Sequence, residues 1–147
     1  MSSDSKFQIP AGDYAIVNRV NASDGKRLAL TFNGDGKNVT VTPFDSSSWT
    51  IENYKCDEVR ATILQHVKPK SNTKLEVSLG PAVNVRPAGN YVFGITQDGS
   101  GWSIKDGDKK TSWSIHVAAS GSEVVPLSES TGEKQRWVIV KAGTSLA

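Results

Sequence analysis

The chain contains a single cysteine, Cys56, so no disulfide can join two parts of it. Histidine is almost as scarce, with His66 and His116 alone, and neither sits at zinc-ligand spacing from a cysteine. Net charge is only +2, and the lysines and arginines are scattered rather than striped. That excludes the basic face a nucleic-acid partner requires. No apolar run is long enough for a membrane-spanning helix. The opening MSSDSKFQIP lacks the apolar stretch of a secretory leader, which with the lone cysteine gives the expectation of a cytoplasmic protein. The sequons Asn21-Ala22-Ser23 and Asn38-Val39-Thr40 are then expected to stay unmodified.

Catalytic patterns are missing too. No G-x-S-x-G occurs, and GDGK (34–37) lacks the earlier glycine of a phosphate loop, so it reads as a hairpin turn. DGD (106–108) lacks the alternating acids of a calcium loop. Carboxylates such as Asp35, Asp98 and Asp106 fall in turn-like sequence, where local hydrogen bonding accounts for them. The expectation is a protein that is not an enzyme and carries no cofactor and no metal.

What is present is strand. Runs such as DYAIVNRV (13–20), KRLALTF (26–32), NVTVTPF (38–44), RATILQHV (60–67), TKLEVSL (73–79), TSWSIHV (111–117) and RWVIVKA (136–142) alternate and are rich in Val, Ile, Thr and aromatics. Gly, Asp, Asn, Ser and Pro separate them. No amphipathic helix of ten residues or more can be found. A hydrophobic fraction of 37% in 147 residues supports one folded core, so the expected domain is the whole of 1–147.

The strands repeat. Trp49, Phe93 and Trp137 stand at two equal intervals of 44 residues, each followed two residues later by isoleucine: Ile51, Ile95 and Ile139. Leu28, Leu75 and Trp113 repeat more loosely, as do Val41, Val85 and Val125. Three units of four strands, roughly 11–54, 55–98 and 99–144, predict an all-β β-trefoil with pseudo-threefold symmetry. In that fold six strands close a barrel and three hairpins cap one end, so that sheet edges are removed. Trp49, Phe93 and Trp137 are then core residues at equivalent positions.

One stretch asks for more than packing. In NYVFGITQDG (90–99), strand alternation sends Tyr91 and Phe93 to the same side. The position of Tyr91 is filled by Ser47 in the first unit and Gln135 in the third, so a large ring is not needed there for the core. Tyr91 is expected to be the ligand-facing ring and Phe93 to carry stability as well.

The segments AGDYAIVNRV with KRLALT (11–31), VTVTPFD with SSSWTI (39–51), NYVF (90–93), SIKDG with TSWSI (103–115) and RWVI (136–139) resemble fungal ricin-B-like β-trefoil lectins of mushroom fruiting bodies. Within them the chain is most similar to a small defence subset that recognises fucosylated chitobiose. The Q-x-W signature of the wider group survives once, as Gln135-Arg136-Trp137. The resemblance implies a lectin for N-acetylglucosamine-containing, possibly fucosylated, glycans, acting as a monomer or homodimer. It implies one site in the second unit, centred on Asn90, Tyr91, Val92 and Phe93 and flanked by Tyr54. Val77 and Arg86 fall on two further carbohydrate-contacting positions, where the resemblance implies a tryptophan and a leucine, and it implies a tryptophan where this chain has Phe93. Chemically, an aromatic ring covers the apolar face of a sugar, Asn offers donor and acceptor to hydroxyls, and Arg86 adds a forked donor for hydroxyls or a carboxylate. The competing reading is a mushroom β-trefoil protease inhibitor acting through the loops Asp45–Ser48, Pro69–Asn72 and Ser128–Lys134.

Overall fold

The computed structural model describes residues 9–44, 48–57, 62–87, 89, 91–98, 101–106, 111–128 and 132–143. Twelve strands run through them: β1 Gly12–Asn18, β2 Leu28–Thr31, β3 Thr40–Pro43, β4 Trp49–Asp57, β5 Thr62–Pro69, β6 Leu75–Leu79, β7 Val83–Pro87, β8 Phe93–Asp98, β9 Gly101–Asp106, β10 Thr111–Ile115, β11 Val124–Ser128 and β12 Trp137–Lys141. One short 3-10 turn, Glu133–Gln135, precedes β12. Antiparallel ladders join β1 to β4, β4 to β5, β5 to β8, β8 to β9, β9 to β12, and β12 back to β1. That ring is a closed six-stranded barrel. The remaining strands pair as the hairpins β2–β3, β6–β7 and β10–β11. The architecture is the β-trefoil that the period predicts.

The repeat is visible in the registers. Trp49, Phe93 and Trp137 each open the fourth strand of a unit, and all three are fully buried. Across the ladders they face Tyr14, Gln65 and Trp102 respectively. In the hairpins, Leu28, Leu75 and Trp113 lie opposite Pro43, Pro87 and Pro126. Proline is tolerated there because these outer strands make their bonds to the other hairpins at other positions, such as Val41, Val85 and Val124. Two residues on, Leu30, Val77 and Ile115 lie opposite Val41, Val85 and Val124, all within the core. The third member of the valine set is therefore Val124, and Val125 is only half-buried. A shift of one residue exchanges the two faces of a strand, and strand spacing here departs from 44.

The hairpins are laced together where they meet. Val39 N donates to Val83 O (2.8 Å), Val124 N to Val39 O (3.0 Å) and Gly36 N to Val85 O (2.7 Å). Asn38 Nδ2 adds a bond to Glu123 Oε2 (2.7 Å), tying the first hairpin to the third. GDGK forms the expected turn, with Gly36 in the left-handed region at φ 78°.

At the barrel wall, Asp13 accepts from Lys70 Nζ (2.8 Å) and from Thr50 Oγ1 (2.8 Å). These bonds, the lysine first, hold its carboxyl below the ordinary value of 3.8. A carboxyl lowered in the folded state stabilises it above the ordinary value, and that contribution fades as pH falls through the lowered one. The expected outcome is that Asp13→Asn lowers the melting temperature modestly at neutral pH, and that the gap from the parent closes in acid below 3.8. Melts across pH 2–7 check this.

Burial of the signature rings carries a larger prediction. Phe93 packs edge-on against Trp113, with ring centroids 5.0 Å apart, and has no exposed surface. Phe93→Ala is expected to destabilise by about 3–5 kcal/mol, measured by denaturant melts.

Candidate functional site

In the second unit, Tyr54, His66, Glu76, Arg86 and Tyr91 come together from β4, β5, β6, β7 and the approach to β8. The alternation of the β6–β7 hairpin sends Leu75, Val77 and Val85 into the core and puts Glu76, Ser78, Asn84 and Arg86 on the other face. Glu76 is directly opposite Arg86, and Ser78 opposite Asn84. Ser78 Oγ donates to Asn84 Oδ1 (2.6 Å), which also accepts from Arg86 Nε (3.3 Å), so the arginine stem leaves the hairpin in a fixed direction. Arg86 itself is exposed.

Glu76 is 1% exposed, and a buried carboxylate must have donors. It has them. Gly89 N donates to Oε1, Tyr91 N donates to Oε2 (3.2 Å), and His66 Nδ1 reaches Oε2 at 3.0 Å. His66 Nδ1 also lies 2.9 Å from Tyr91 O. Both of its neighbours are acceptors, so Nδ1 carries the proton and donates to both. One carboxylate and one imidazole thus hold the peptide on either side of Tyr91. Nε2 is left as the remaining polar atom of a ring whose side chain is 10% exposed.

Two tyrosines flank this clamp. Tyr91 is 41% exposed, its ring lies 6.1 Å from that of Phe93, and its hydroxyl donates to Leu79 O (3.4 Å). Tyr54 sits at a register shift between Asn53 and Lys55, where β4 carries an extra residue. Such a bulge re-aims a side chain. Tyr54 is 44% exposed and meets His66 edge-on with ring centroids 5.0 Å apart.

The site residues expected from sequence divide accordingly. Tyr54, Arg86 and Tyr91 are exposed and share one patch, and Val92 is half-buried beside them. Phe93 is fully buried beneath Tyr91, and Tyr91 precedes β8 rather than lying in it, so the two rings do not form one exposed platform. Val77 is corrected: it has no exposed surface and faces Val85 inside the hairpin, so it is not a ligand contact. Asn90 lies outside the described residues, as do Ser47 and the loop positions 45–47 and 129–131. The Pro69–Asn72 loop is a turn fastened by Asn72 N to Pro69 O (3.1 Å) and by Lys70 to Asp13.

Sequence reasoning passed over His66 and Glu76. The signal was available in the repeat. Ladder positions equivalent to His66 hold Ala15 and Ser103, and those equivalent to Glu76 hold Ala29 and Ser114, all buried. An acid and an imidazole in slots that the other units fill with small residues mark the second unit as specialised.

Comparison with known proteins adds the family. The model of the CCL2-like family, described as CCL2 lectin-like, matches residues 12–137. The chain belongs to the CCL2-like lectin family. Among solved structures, a mosquitocidal holotoxin matches with TM-score 0.75 and 15% identity over 92% of this chain, which spans only 18% of that protein. The designed threefold-symmetric protein ThreeFoil matches with TM-score 0.71 and 17% identity, over 88% of this chain and 99% of its own. The Rhizoctonia solani agglutinin matches with TM-score 0.63 and 17% identity, over 91% of this chain and 97% of its own. At these identities the likeness shows the fold. No curated protein sequence matches. Membership of the CCL2-like lectins supports a carbohydrate-binding protein.

The clamp is open to a direct test. Glu76→Gln replaces a carboxylate oxygen by an amino group that confronts N–H donors instead of accepting from them. Hydrogen exchange at the Gly89 and Tyr91 amides is expected to be slow in the parent protein and markedly faster in E76Q, while amides of β1 and β12 keep their protection.

Proposed function

We propose that this CCL2-like lectin binds N-acetylglucosamine-containing glycans on the face of its second unit, with fucosylated chitobiose the leading ligand. The observation that carries the reading is Tyr91: an exposed ring whose own peptide is fixed on both sides by a buried Glu76–His66 pair. A ring held in this way meets the apolar face of a sugar with little further loss of freedom. Tyr54 offers a second wall across His66. Arg86 projects from the hairpin as a forked donor toward hydroxyls or a carboxylate. A cation here, and no tryptophan on this face of the hairpin, tune the site away from a purely stacking mode toward a ligand with a polar or acidic rim. Resemblance to the defence lectins supports a role against predators or parasites through their glycoconjugates.

The test separates binding from folding. A glycan array carrying fucosylated, chitobiose, sialylated and galactosylated ligands identifies the best glycan, and calorimetric titration measures it. Tyr91→Ala is expected to lose binding at a stability cost below about 1.5 kcal/mol, because its ring is partly exposed. Parental affinity in Tyr91→Ala would remove the site from this face. An array with no hit, alongside inhibition of a serine or cysteine protease, would favour the inhibitor reading.

A further inference from the structure

The three barrel positions opposite the signature aromatics are not treated alike. Tyr14 Oη donates to Pro10 O (2.7 Å) and Gln65 Nε2 donates to Ile9 O (2.8 Å), so the described N-terminal residues seal both of them. Trp102, the third member, is half-buried. It packs against the core cluster, and it lines a surface cleft of about 350 Å³ together with Arg19, Gln97, Asp98, Gly101 and Val138.

The walls of this cleft are built rather than incidental. Arg136 is 3% exposed and grips Asp98 Oδ2 through Nε (3.0 Å) and Nη2 (2.9 Å). Gly101 has φ +132°, and a Cβ there would lie 3.0 Å from Trp137 O, so only glycine lets β9 start this close to β12. Gln97 is the ladder partner of Trp102, which places the amide beside the indole. Gln97 and Arg19 are exposed.

We propose that this cleft is a second carbohydrate site, distinct from the Tyr91 face, which takes a single pyranose ring. The volume is at the low end of small-molecule sites, about 300–1,000 Å³, and suits one sugar unit rather than a branched core. The chemistry is that of sugar recognition. An indole face meets the C–H face of the ring, the Gln97 amide offers donor and acceptor, Arg19 donates, and the oriented Asp98 carboxylate accepts from hydroxyls. One chain then holds two sites, the second lined by residues of all three units. That permits crosslinking of glycoconjugates without dimerisation, with avidity set by the fixed spacing between sites.

The tryptophans make the test clean. Trp49, Trp113 and Trp137 are buried, so Trp102 is the indole that a surface ligand can reach. Indole N–H spectra of the full ¹⁵N-labelled chain are recorded while N-acetylglucosamine, N-acetylgalactosamine, galactose, mannose, fucose or N-acetylneuraminic acid is added to tens of millimolar. Trp102→Phe assigns the resonance. The expected result is that the Trp102 signal moves saturably with at least one sugar and still does so in Tyr91→Ala. The surface pair Gln97→Ala with Arg19→Ala is expected to raise the dissociation constant about tenfold. A Trp102 signal that no sugar moves overturns the proposal. So does a movement that vanishes in Tyr91→Ala, since the binding would then belong to the first face.

Discussion

Closure of the barrel around Trp49, Phe93 and Trp137 is the constraint on which the rest depends. The three rings enter from three strands related by the repeat, and the six-strand ring leaves no open edge among the barrel strands. Each unit must therefore supply similar apolar bulk at similar positions. The hairpins obey the same demand, with Leu30, Val77 and Ile115 facing Val41, Val85 and Val124. Where bulk differs, neighbours compensate. Phe93 is smaller than the tryptophans in its sister positions, and it is Phe93 that meets the edge of Trp113, the largest member of the Leu28, Leu75 and Trp113 set.

Because the core must be nearly symmetric, specialisation appears where symmetry breaks. The second unit places His66 and Glu76 in buried slots held elsewhere by alanine and serine. A carboxylate in such a slot is unfavourable unless it is saturated with donors. Here the donors are the main chain around Tyr91 and the imidazole, so the charge and the loop geometry specify each other. The bulge that turns Tyr54 outward acts on the same patch. The third unit breaks symmetry differently, leaving Trp102 at the surface where Tyr14 and Gln65 are sealed.

The barrel was legible because its constraint is written in large residues at a fixed interval. Aromatic-x-Ile at two equal spacings falls at the start of β4, β8 and β12. The exposed partners of the site, Tyr54, Tyr91 and Arg86, followed from resemblance. The interior partners did not. Glu76 reads as one more polar residue in an alternating strand, and only its register beside Ala29 and Ser114 reveals a buried acid. Val77 was misplaced because a ligand face and a core face differ by one residue in a strand. Tyr54 owes its direction to an extra residue in β4, which composition does not mark. Val125 gave way to Val124 for the same reason of register.

The central claim is that one clamped face of the second unit reads a glycan. Its most direct test is a backbone and side-chain perturbation map of the ¹⁵N-labelled protein with fucosylated chitobiose. The account predicts that the largest shifts fall on Tyr54, His66, Arg86, Gly89 and Tyr91, with the equivalent positions Ala15, Ala29, Ser103 and Ser114 unmoved. Shifts concentrated on the first unit, with the His66 and Tyr91 signals unchanged at saturation, would contradict it.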